Sequence, residues 1–320
     1  MRIERTVQVI DTHTAGEPTR VVLDGLPPIP GDTMAERRAY LDAHGEPWRG
    51  FLLREPRGHP DLFGAIVTPP ADPRAQVGLL FIDNGGTLGM CGHGTIGAVT
   101  ALWTLGRIGG EEVVVDTPSG LVTCRVAPAA SAVTVRNVPA FFLETVALDG
   151  ISIHLAYGGN LFALVEAGAV GLAVRRDALP RLIERGMALR RSLNARFAFR
   201  HPETGMILPV ELVEFTEEGD PPRNVVVFGR GQVDRSPCGT GTCAKMAFLH
   251  AHGRLEENQD YRHRSLLDTE FTGRIVGTTR VGDRAAIIPT VRGSAHVMGF
   301  GSLLLTDGDP FPSGFDLATG

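Results

Sequence analysis

The sequence contains little cysteine, few aromatic residues and no excess of positive charge. Its 320 residues include four cysteines, aromatic residues make up 6% of the chain, and the formal net charge is -5 at pH 7. Four cysteines in a chain of this length do not build a disulfide scaffold. Because a nucleic-acid-binding surface is usually basic, we expect no nucleic-acid partner.

Long hydrophobic runs are also missing. No apolar stretch reaches the roughly 18 residues that a membrane-spanning helix requires, so no membrane partner is expected. The first ten residues, MRIERTVQVI, lack the apolar core of a signal peptide and are predicted to form a first strand. The expected location is therefore the cytoplasm.

Glycine, in contrast, is abundant. The chain has 40 glycines and is 43% hydrophobic, with 21% charged residues, which is the composition of a globular protein rich in turns. Its length suits two domains of ordinary size. Strand-like segments outnumber helical ones and their connections are often hairpin-like, which predicts an α+β fold with mixed or antiparallel sheets.

Hydrophobic periodicity and capping residues predict a small number of helices. These are Met34–Ala43, Gly97–Leu105, Arg176–Phe197 and Lys245–His250. Asp32 or Thr33 is the expected N-cap of the first helix. The segment Met206–Phe215 is predicted to be one continuous strand.

Two glycine-rich stretches repeat one another. Cys91 is followed by Gly-His-Gly-Thr and Cys238 by Gly-Thr-Gly-Thr, and each stretch lies between a predicted strand and a predicted helix. A lone turn of this kind usually holds a buried thiol, but its repetition indicates an internal duplication with a functional cysteine in each half. We expect a cleft between the halves with Cys91 and Cys238 on opposite walls.

Such turns suit acid–base chemistry by sulfur. A helix start can lower a thiol pKa from its ordinary value near ~8.5, so one cysteine could act as a thiolate base while the other donates a proton to the opposite face of a carbon atom. Backbone N–H groups of Gly92, His93 and Gly94, and of Gly239, Thr240 and Gly241, could then bind a substrate carboxylate. His93 could orient the thiol or bind the carboxylate, and Asp234 could cap its turn, pair with Arg235 or bind a substrate ammonium group.

Other uses of the cysteines are less well supported. Cys91, His93, Cys238 and Cys243 supply four potential zinc ligands, but their spacing matches no structural zinc pattern, so no metal is expected. A redox-active thiol pair would leave the glycine turns unexplained. Cys124, in a strand-like run, and Cys243, five residues after Cys238, are predicted to be buried packing residues.

The two cysteine motifs, MCGH at 90–93 and DRSPCGTG at 234–241, resemble the signatures of the proline racemase family. Further similar segments are DTHTAGEPTR at 11–20, EPRGH at 55–59 and YGGN at 157–160, so the resemblance spans nearly the whole chain. It implies the fold of diaminopimelate epimerase, with two pseudo-symmetric domains that each wrap strands around a central helix. The expected domains are 1–140 with 299–320, and 141–298.

The resemblance also implies an activity and the roles of residues. The expected enzyme is a cofactor-independent isomerase that acts at the Cα of a proline-like amino acid, usually as a homodimer. Cys91 and Cys238 would be the two acid–base residues. The residues expected to contact the carboxylate and the amine of the substrate are Gly92, His93, Asp234, Gly239 and Thr240.

Three activities occur in this family, and the sequence favours one of them. Dehydratases acting on trans-3-hydroxyproline typically carry threonine at the second cysteine, so Cys238 argues against dehydration. The motif MCGHGTIG at 90–97 and the segment RGSAHV at 292–297 resemble the 4-hydroxyproline 2-epimerases. Two features depart from the epimerases. Pro209 stands where they often carry a histidine, and the segments Asn224–Phe228 and Gly231–Val233 resemble the dehydratase or racemase branches.

We therefore expect epimerisation of trans-4-hydroxy-L-proline to cis-4-hydroxy-D-proline. Racemisation of proline and dehydration of trans-3-hydroxy-L-proline are the alternatives within the family. An imino-acid-binding protein without catalytic activity is the alternative outside the enzymes.

Overall fold

The computed structural model describes residues 2–317 and divides the chain into two compact units. The first contains the residues up to Val133 and those from Ser294 onward, and the second is Thr134–Gly293. The boundaries expected from the sequence, after residues 140 and 298, lie a few residues later in the chain.

The described residues form five α-helices and twenty strands. The helices are α1 Met34–His44, α2 Glu46–Leu53, α3 Gly92–Thr104, α4 Leu179–Arg196 and α5 Gly239–Ala251. The strands are β1 Ile3–Thr14, β2 Glu17–Asp24, β3 Phe63–Thr68, β4 Val77–Ile82, β5 Thr87–Leu88, β6 Glu112–Thr117, β7 Gly120–Val126, β8 Val133–Arg136, β9 Phe141–Leu148, β10 Ile151–Tyr157, β11 Leu161–Glu166, β12 Phe199–Arg200, β13 Ile207–Leu208, β14 Val210–Glu217, β15 Arg223–Phe228, β16 Gln232–Asp234, β17 Asp260–Arg264, β18 Glu270–Val281, β19 Arg284–Gly293 and β20 Ala295–Thr306.

The two units repeat one order of strand pairing. In the first, β1 and β2 form a hairpin, β3 runs parallel to β2, β4 antiparallel to β3, and β6 parallel to β4. In the second, β10 and β11 form the hairpin, β14 runs parallel to β11, β15 antiparallel to β14, and β17 parallel to β15. A short strand that leads to a cysteine, β5 or β16, pairs with β4 or β15. This repetition agrees with the predicted internal duplication.

Each unit has one helix enclosed by its strands. Helix α3 packs against β1, β2, β3 and β20, and α5 packs against β9, β10, β11, β18 and β19. Residues Gly92–Leu102 of α3 and Gly239–Leu249 of α5 are all buried, so these helices are buried on every face, as a central helix must be. The predicted α+β architecture, with mixed strands around a central helix in each half, is confirmed.

Both central helices begin earlier than predicted. The sequence predicted helical segments at Gly97–Leu105 and Lys245–His250, each after a glycine-rich turn that carries a cysteine. In the structure the glycine-rich turn is itself the first helical turn, since Cys91 and Cys238 are the N-caps. Methyl groups built on Gly94, Gly97 and Gly241 would meet close neighbours, so these positions leave little room for a side chain.

The sequence pattern predicted helix α1, but it predicted neither helix α2 nor the interruption of a strand at Pro209. Helix α1 begins as predicted, and the Thr33 hydroxyl accepts the N–H of Glu36 while the Glu36 carboxylate accepts the N–H of Thr33, a complete capping box. Helix α2 was not predicted, because it has only eight residues and begins with a proline. The predicted strand Met206–Phe215 is interrupted at Pro209, between β13 and β14, because proline has no N–H for a strand ladder.

Among residues 2–317, no helix combines the length and the apolar character that a membrane crossing needs.

Candidate active site

Cys91 is the side-chain N-cap of α3. Its backbone is extended, with φ -140° and ψ 118°, and its Sγ accepts the N–H of Gly94 at 3.3 Å. The hydroxyl of Thr95 donates to the Cys91 carbonyl at 2.7 Å. The cysteine thus takes the place that serine or aspartate usually takes at a helix start, and its sulfur lies at the positive end of the helix dipole.

The imidazole of His93 lies beside the Cys91 sulfur. Its Nδ1 is 3.4 Å and its Nε2 3.5 Å from Sγ. The ring packs edge-on against Phe63, with 4.7 Å between ring centroids, and the Thr14 hydroxyl donates to the His93 carbonyl at 2.9 Å. His93 is buried and lies against the thiol, which is the geometry that one of its two expected roles, orienting the thiol, requires.

Cys238 repeats this arrangement at the start of α5. Its Sγ accepts the N–H of Gly241 at 3.4 Å, and the Thr240 hydroxyl lies 3.7 Å from the sulfur. Thr240 therefore holds the place that His93 holds beside Cys91, two residues after the cysteine. A hydroxyl in place of an imidazole makes the two sulfur environments chemically unequal.

The backbone of Cys238 is strained, unlike that of Cys91. Its φ is 59° and its ψ 107°, a combination that residues with a side chain rarely adopt and that costs about 1–3 kcal/mol. The Cys238 N–H donates to the Ser236 hydroxyl at 3.1 Å. Because strain of this kind persists only where neighbouring contacts impose it, the turn has been shaped to direct the sulfur.

Asp234 closes the turn before Cys238. Its Oδ1 accepts the N–H of Ser236 at 2.8 Å, and the carboxylate is buried. Arg235 donates to the carbonyl of Val233. Of the roles considered for Asp234, capping the turn is therefore present in the structure.

Burial and two carboxyl groups disfavour the thiolate of Cys238. Its pKa is raised well above the ordinary value, first by desolvation and then by the charges of Asp234 and Glu214, while the Gly241 N–H and the Thr240 hydroxyl act in the opposite direction. The expected effect of the helix start is present, but it is outweighed.

The helix-start amides divide into two groups. Gly94 and Gly241, which were expected to bind a carboxylate, donate instead to the cysteine sulfurs. The preceding amides, those of Gly92 with His93 and of Gly239 with Thr240, belong to the first helical turn, where no intrahelical acceptor exists. N–H groups of a first helical turn can bind an anion.

Glu214 is a functional candidate that the sequence analysis missed. It lies on β14 with no solvent exposure, and its Oε1 accepts from the Asn224 side chain at 3.2 Å. Desolvation raises its pKa to about 7, against the lowering effect of Lys245. A signal was available, because Val210, Leu212 and Glu214 alternate on one face of a strand, and a carboxylate on an apolar face is unusual.

Polar residues of the segment at 11–20 have local partners. Arg20 forms a two-bond ion pair with Asp11, at 2.9 Å for each bond. His13 accepts the N–H of Gly16 and packs against His296. Both contacts fit a structural role.

The two remaining cysteines are buried packing residues, as predicted. Cys124 and Cys243 are free thiols with almost no exposure, and burial raises the pKa of each to about 12. Within residues 2–317 no group of three or more histidine, cysteine, aspartate or glutamate side chains is arranged to hold a metal ion.

The chain that carries this repeated cysteine site matches one protein family over nearly its whole length. The profile of the family described as proline racemase matches residues 9–316. The chain belongs to the proline racemase family. The predicted family and the predicted enzyme class, an isomerase of the racemase and epimerase kind, are confirmed.

Relatives with two different substrates resemble the chain to a similar degree. The proline racemase of Clostridioides difficile is 41% identical over 334 residues, covering 99% of this chain and 100% of the relative. The 4-hydroxyproline 2-epimerase of Streptosporangium roseum is 42% identical over 331 residues, covering 98% and 99%. The crystal structure of a hydroxyproline epimerase from Agrobacterium vitis, with bound trans-4-OH-L-proline, superposes with a TM-score of 0.93 at 34% identity, over 100% of this chain and 98% of that one.

Proposed function

We propose that the protein epimerises trans-4-hydroxy-L-proline to cis-4-hydroxy-D-proline, without a cofactor, by proton transfer at Cα between two cysteines. The observation that carries the proposal is the repeated N-cap. Cys91 and Cys238 each place a buried sulfur at the start of a central helix, where the sulfur accepts the N–H of the residue three positions later in the chain. A packing cysteine has no need of this geometry.

Proton removal at Cα also needs groups that bind the carboxylate and the amine of the substrate. A Cα–H is a weak acid, and its removal is helped when the carboxylate that takes up the charge is bound by preorganised N–H groups. We infer that the first-turn amides of Gly92 with His93, and of Gly239 with Thr240, perform this task. Asp234, buried in the turn before Cys238, would pair with the ammonium of the ring nitrogen.

The two sulfurs have different surroundings, which supports a different starting role for each in the forward reaction. Cys238 is held as a thiol by burial and by neighbouring carboxyl groups, so it is the proton donor. Cys91, with the His93 imidazole within 3.5 Å of its sulfur, is the base. After one turnover the protonation states are exchanged, and the enzyme is then ready for the reverse reaction.

Hydroxyproline is preferred over proline as the substrate for two reasons. The motif from Met90 to Gly97 has the epimerase form, and the solved epimerase with a TM-score of 0.93 contains trans-4-OH-L-proline. Racemisation of proline is the second candidate, supported by the 41% identity to the Clostridioides difficile racemase. Dehydration of trans-3-hydroxy-L-proline is less well supported, because Cys238 is retained.

The test is proton NMR of trans-4-hydroxy-L-proline in deuterated water with enzyme and no added cofactor. Loss of the Cα proton together with appearance of the cis-D epimer is the expected result. Exchange on L-proline alone would assign the protein to the racemases. Exchange on neither substrate, with 3-hydroxyproline also unchanged, would favour an imino-acid-binding protein. The homodimer implied by the family resemblance is tested separately by light scattering.

A further inference from the structure

A buried carboxyl group adjoins the turn that carries Cys238. Glu214 has no solvent exposure, and its Oε2 has no hydrogen-bond partner among residues 2–317. A methyl group built on Gly241 would collide with this oxygen and would lie 3.2 Å from the sulfur of Cys238. The carboxyl and the thiol therefore approach the same small space from two sides.

The other oxygen of Glu214 is connected to the backbone that precedes the cysteine. Oε1 accepts from Asn224 Nδ2 at 3.2 Å, and the same Nδ2 donates to the Pro237 carbonyl at 2.7 Å. The Thr242 hydroxyl donates to that carbonyl as well, at 3.3 Å. Because the Pro237 carbonyl belongs to the peptide that enters Cys238, this network helps to hold the strained cysteine backbone.

A charged group in this place needs an explanation, because burying it costs stability. A carboxylate loses its hydration on burial, and one unpaired oxygen adds to that cost. In the first unit the side chains nearest to a methyl group built on Gly94, apart from the cysteine, are the rings of Phe63 and Phe81, whereas at Gly241 they are the Phe162 ring and Glu214. The first unit thus has apolar rings on both sides of its cysteine turn, which shows that an acid is not required for packing there.

On the basis of the proposed function, we propose that Glu214 is a positioning residue for Cys238, which holds the cysteine turn through Asn224 and controls the ionisation of the thiol by its own charge. When the Glu214 carboxyl is neutral the thiolate is favoured, and when it is ionised the thiol is favoured. A two-cysteine epimerase needs both forms of Cys238 in each complete cycle.

The groups around the pair support a carboxyl that changes charge near neutral pH. Desolvation raises the pKa of Glu214 to about 7, with Lys245 on α5 acting in the lowering direction and Asp234 on β16 in the raising direction. His263 on β17 lies 3.7 Å from Oε1, but burial lowers its pKa to about 3, so it is neutral and does not fix the charge of Glu214.

The experiment measures ionisation of Cys238 without requiring catalysis. The rate of iodoacetamide alkylation at Cys238 is followed by mass spectrometry across pH in the wild type and in Glu214→Gln, which removes the charge and keeps the shape. We expect the alkylation midpoint of Cys238 to fall by about one pH unit or more in the variant, and that of Cys91 to stay unchanged. The pH profile of kcat/KM should move in the same direction.

The matched control is Glu217→Gln, on the same strand, whose carboxylate accepts the N–H of Val174. It should leave the Cys238 midpoint where it is in the wild type. If Cys238 reacts too slowly with the reagent, the ultraviolet absorbance of its thiolate, taken as the difference from Cys238→Ser, gives the same titration. An unchanged midpoint in folded Glu214→Gln overturns the proposal, even if activity falls.

Two further outcomes are informative. Should Glu214→Gln fail to fold, Glu214→Asp draws the charge back by one methylene and should give a smaller shift in the same direction, and no shift there also counts against the proposal. If the midpoint shifts as expected but neither hydroxyproline nor proline exchanges its Cα proton, the control of Cys238 stands and the proposed function fails.

Discussion

Phe63 and Glu214 lie on equivalent strands of the two units, β3 and β14. Each of these strands runs parallel to the second strand of a hairpin, and each residue has an atom within 3.2 Å of a methyl group built on the glycine that donates its N–H to a cysteine sulfur. One is an apolar ring that packs against His93, and the other is a carboxyl group. Both halves of the duplicated fold keep the N–H contact to the cysteine sulfur, but the backbone conformations of the two cysteines differ, and so do their electrostatic surroundings.

The first prediction concerns the two cysteines. Cys91→Ser and Cys238→Ser should each reduce turnover by at least about 10²-fold, because a hydroxyl is a far weaker acid–base group in the same position. Loss of the Cα proton signal in deuterated water measures the effect. Cys124→Ala, at a buried thiol on β7, is the control and should keep most of the activity. Turnover that survives either serine substitution would rule out the two-thiol mechanism.

The second prediction concerns the glycines that bind the sulfurs. Gly241→Ala should reduce kcat/KM by about 10²-fold, because its methyl group collides with Glu214 and displaces the Cys238 turn. Gly94→Ala should have a smaller effect, since its methyl group would lie 3.1 Å from Cys91 Sγ and at least 3.2 Å from Phe63 and Phe81. Steady-state kinetics distinguish the two variants.

Gly168→Ala is the control for this comparison, because a methyl group there meets no atom within 4 Å. Equal activity in all three glycine variants would show that the close contacts at the cysteine turns do not matter for catalysis.

Local sequence rules predicted part of the fold and part of the candidate site. The two cysteine motifs predicted the internal duplication and a cysteine at the start of a helix in each half, because capping and glycine-rich turns are local properties. They left the role of His93 open and placed the helical segments several residues too late. Local rules also predicted α1 and its Thr33 cap.

Properties that depend on distant packing could not be predicted in the same way. The approach of Glu214 to Cys238 joins residues 24 positions apart in the printed sequence, and the raised pKa of the thiol arises from burial. The helix-start rule alone indicated a lowered value. Pro209 itself is a local signal for a break in the predicted strand, because proline has no N–H. The hydrophobic alternation on both sides of Pro209 nevertheless favoured one continuous strand.

The third prediction tests the capping box of α1. Thr33→Ala should lower the free energy of unfolding by about 1 kcal/mol, because the N–H of Glu36 loses its acceptor. Thr33→Ser keeps the hydroxyl and should retain most of the stability. Urea unfolding followed by circular dichroism measures both variants, and an equal loss in both would point to the methyl group instead of the hydrogen bond.

The fourth prediction concerns the pH dependence of stability. Because the pKa of Glu214 is raised in the folded protein from its ordinary value of 4.5 to about 7, the folded state holds its proton over a pH range in which the unfolded state has lost it. The contribution of Glu214 to stability is therefore fully present below about pH 4.5 and is lost as the pH rises toward 7. The loss is on the order of 3 kcal/mol.

Glu214→Gln has no such proton to lose, so it should become more stable than the wild type as the pH rises from 4.5 to 7, with little difference at pH 4.5. His263, whose pKa is lowered to about 3, destabilises the fold as the pH falls below its ordinary value, but it does so in both proteins and cancels in the comparison. Urea unfolding at several pH values measures the difference. A stability gap that is the same at pH 4.5 and pH 7 would show that Glu214 is not a buried acid with a raised pKa.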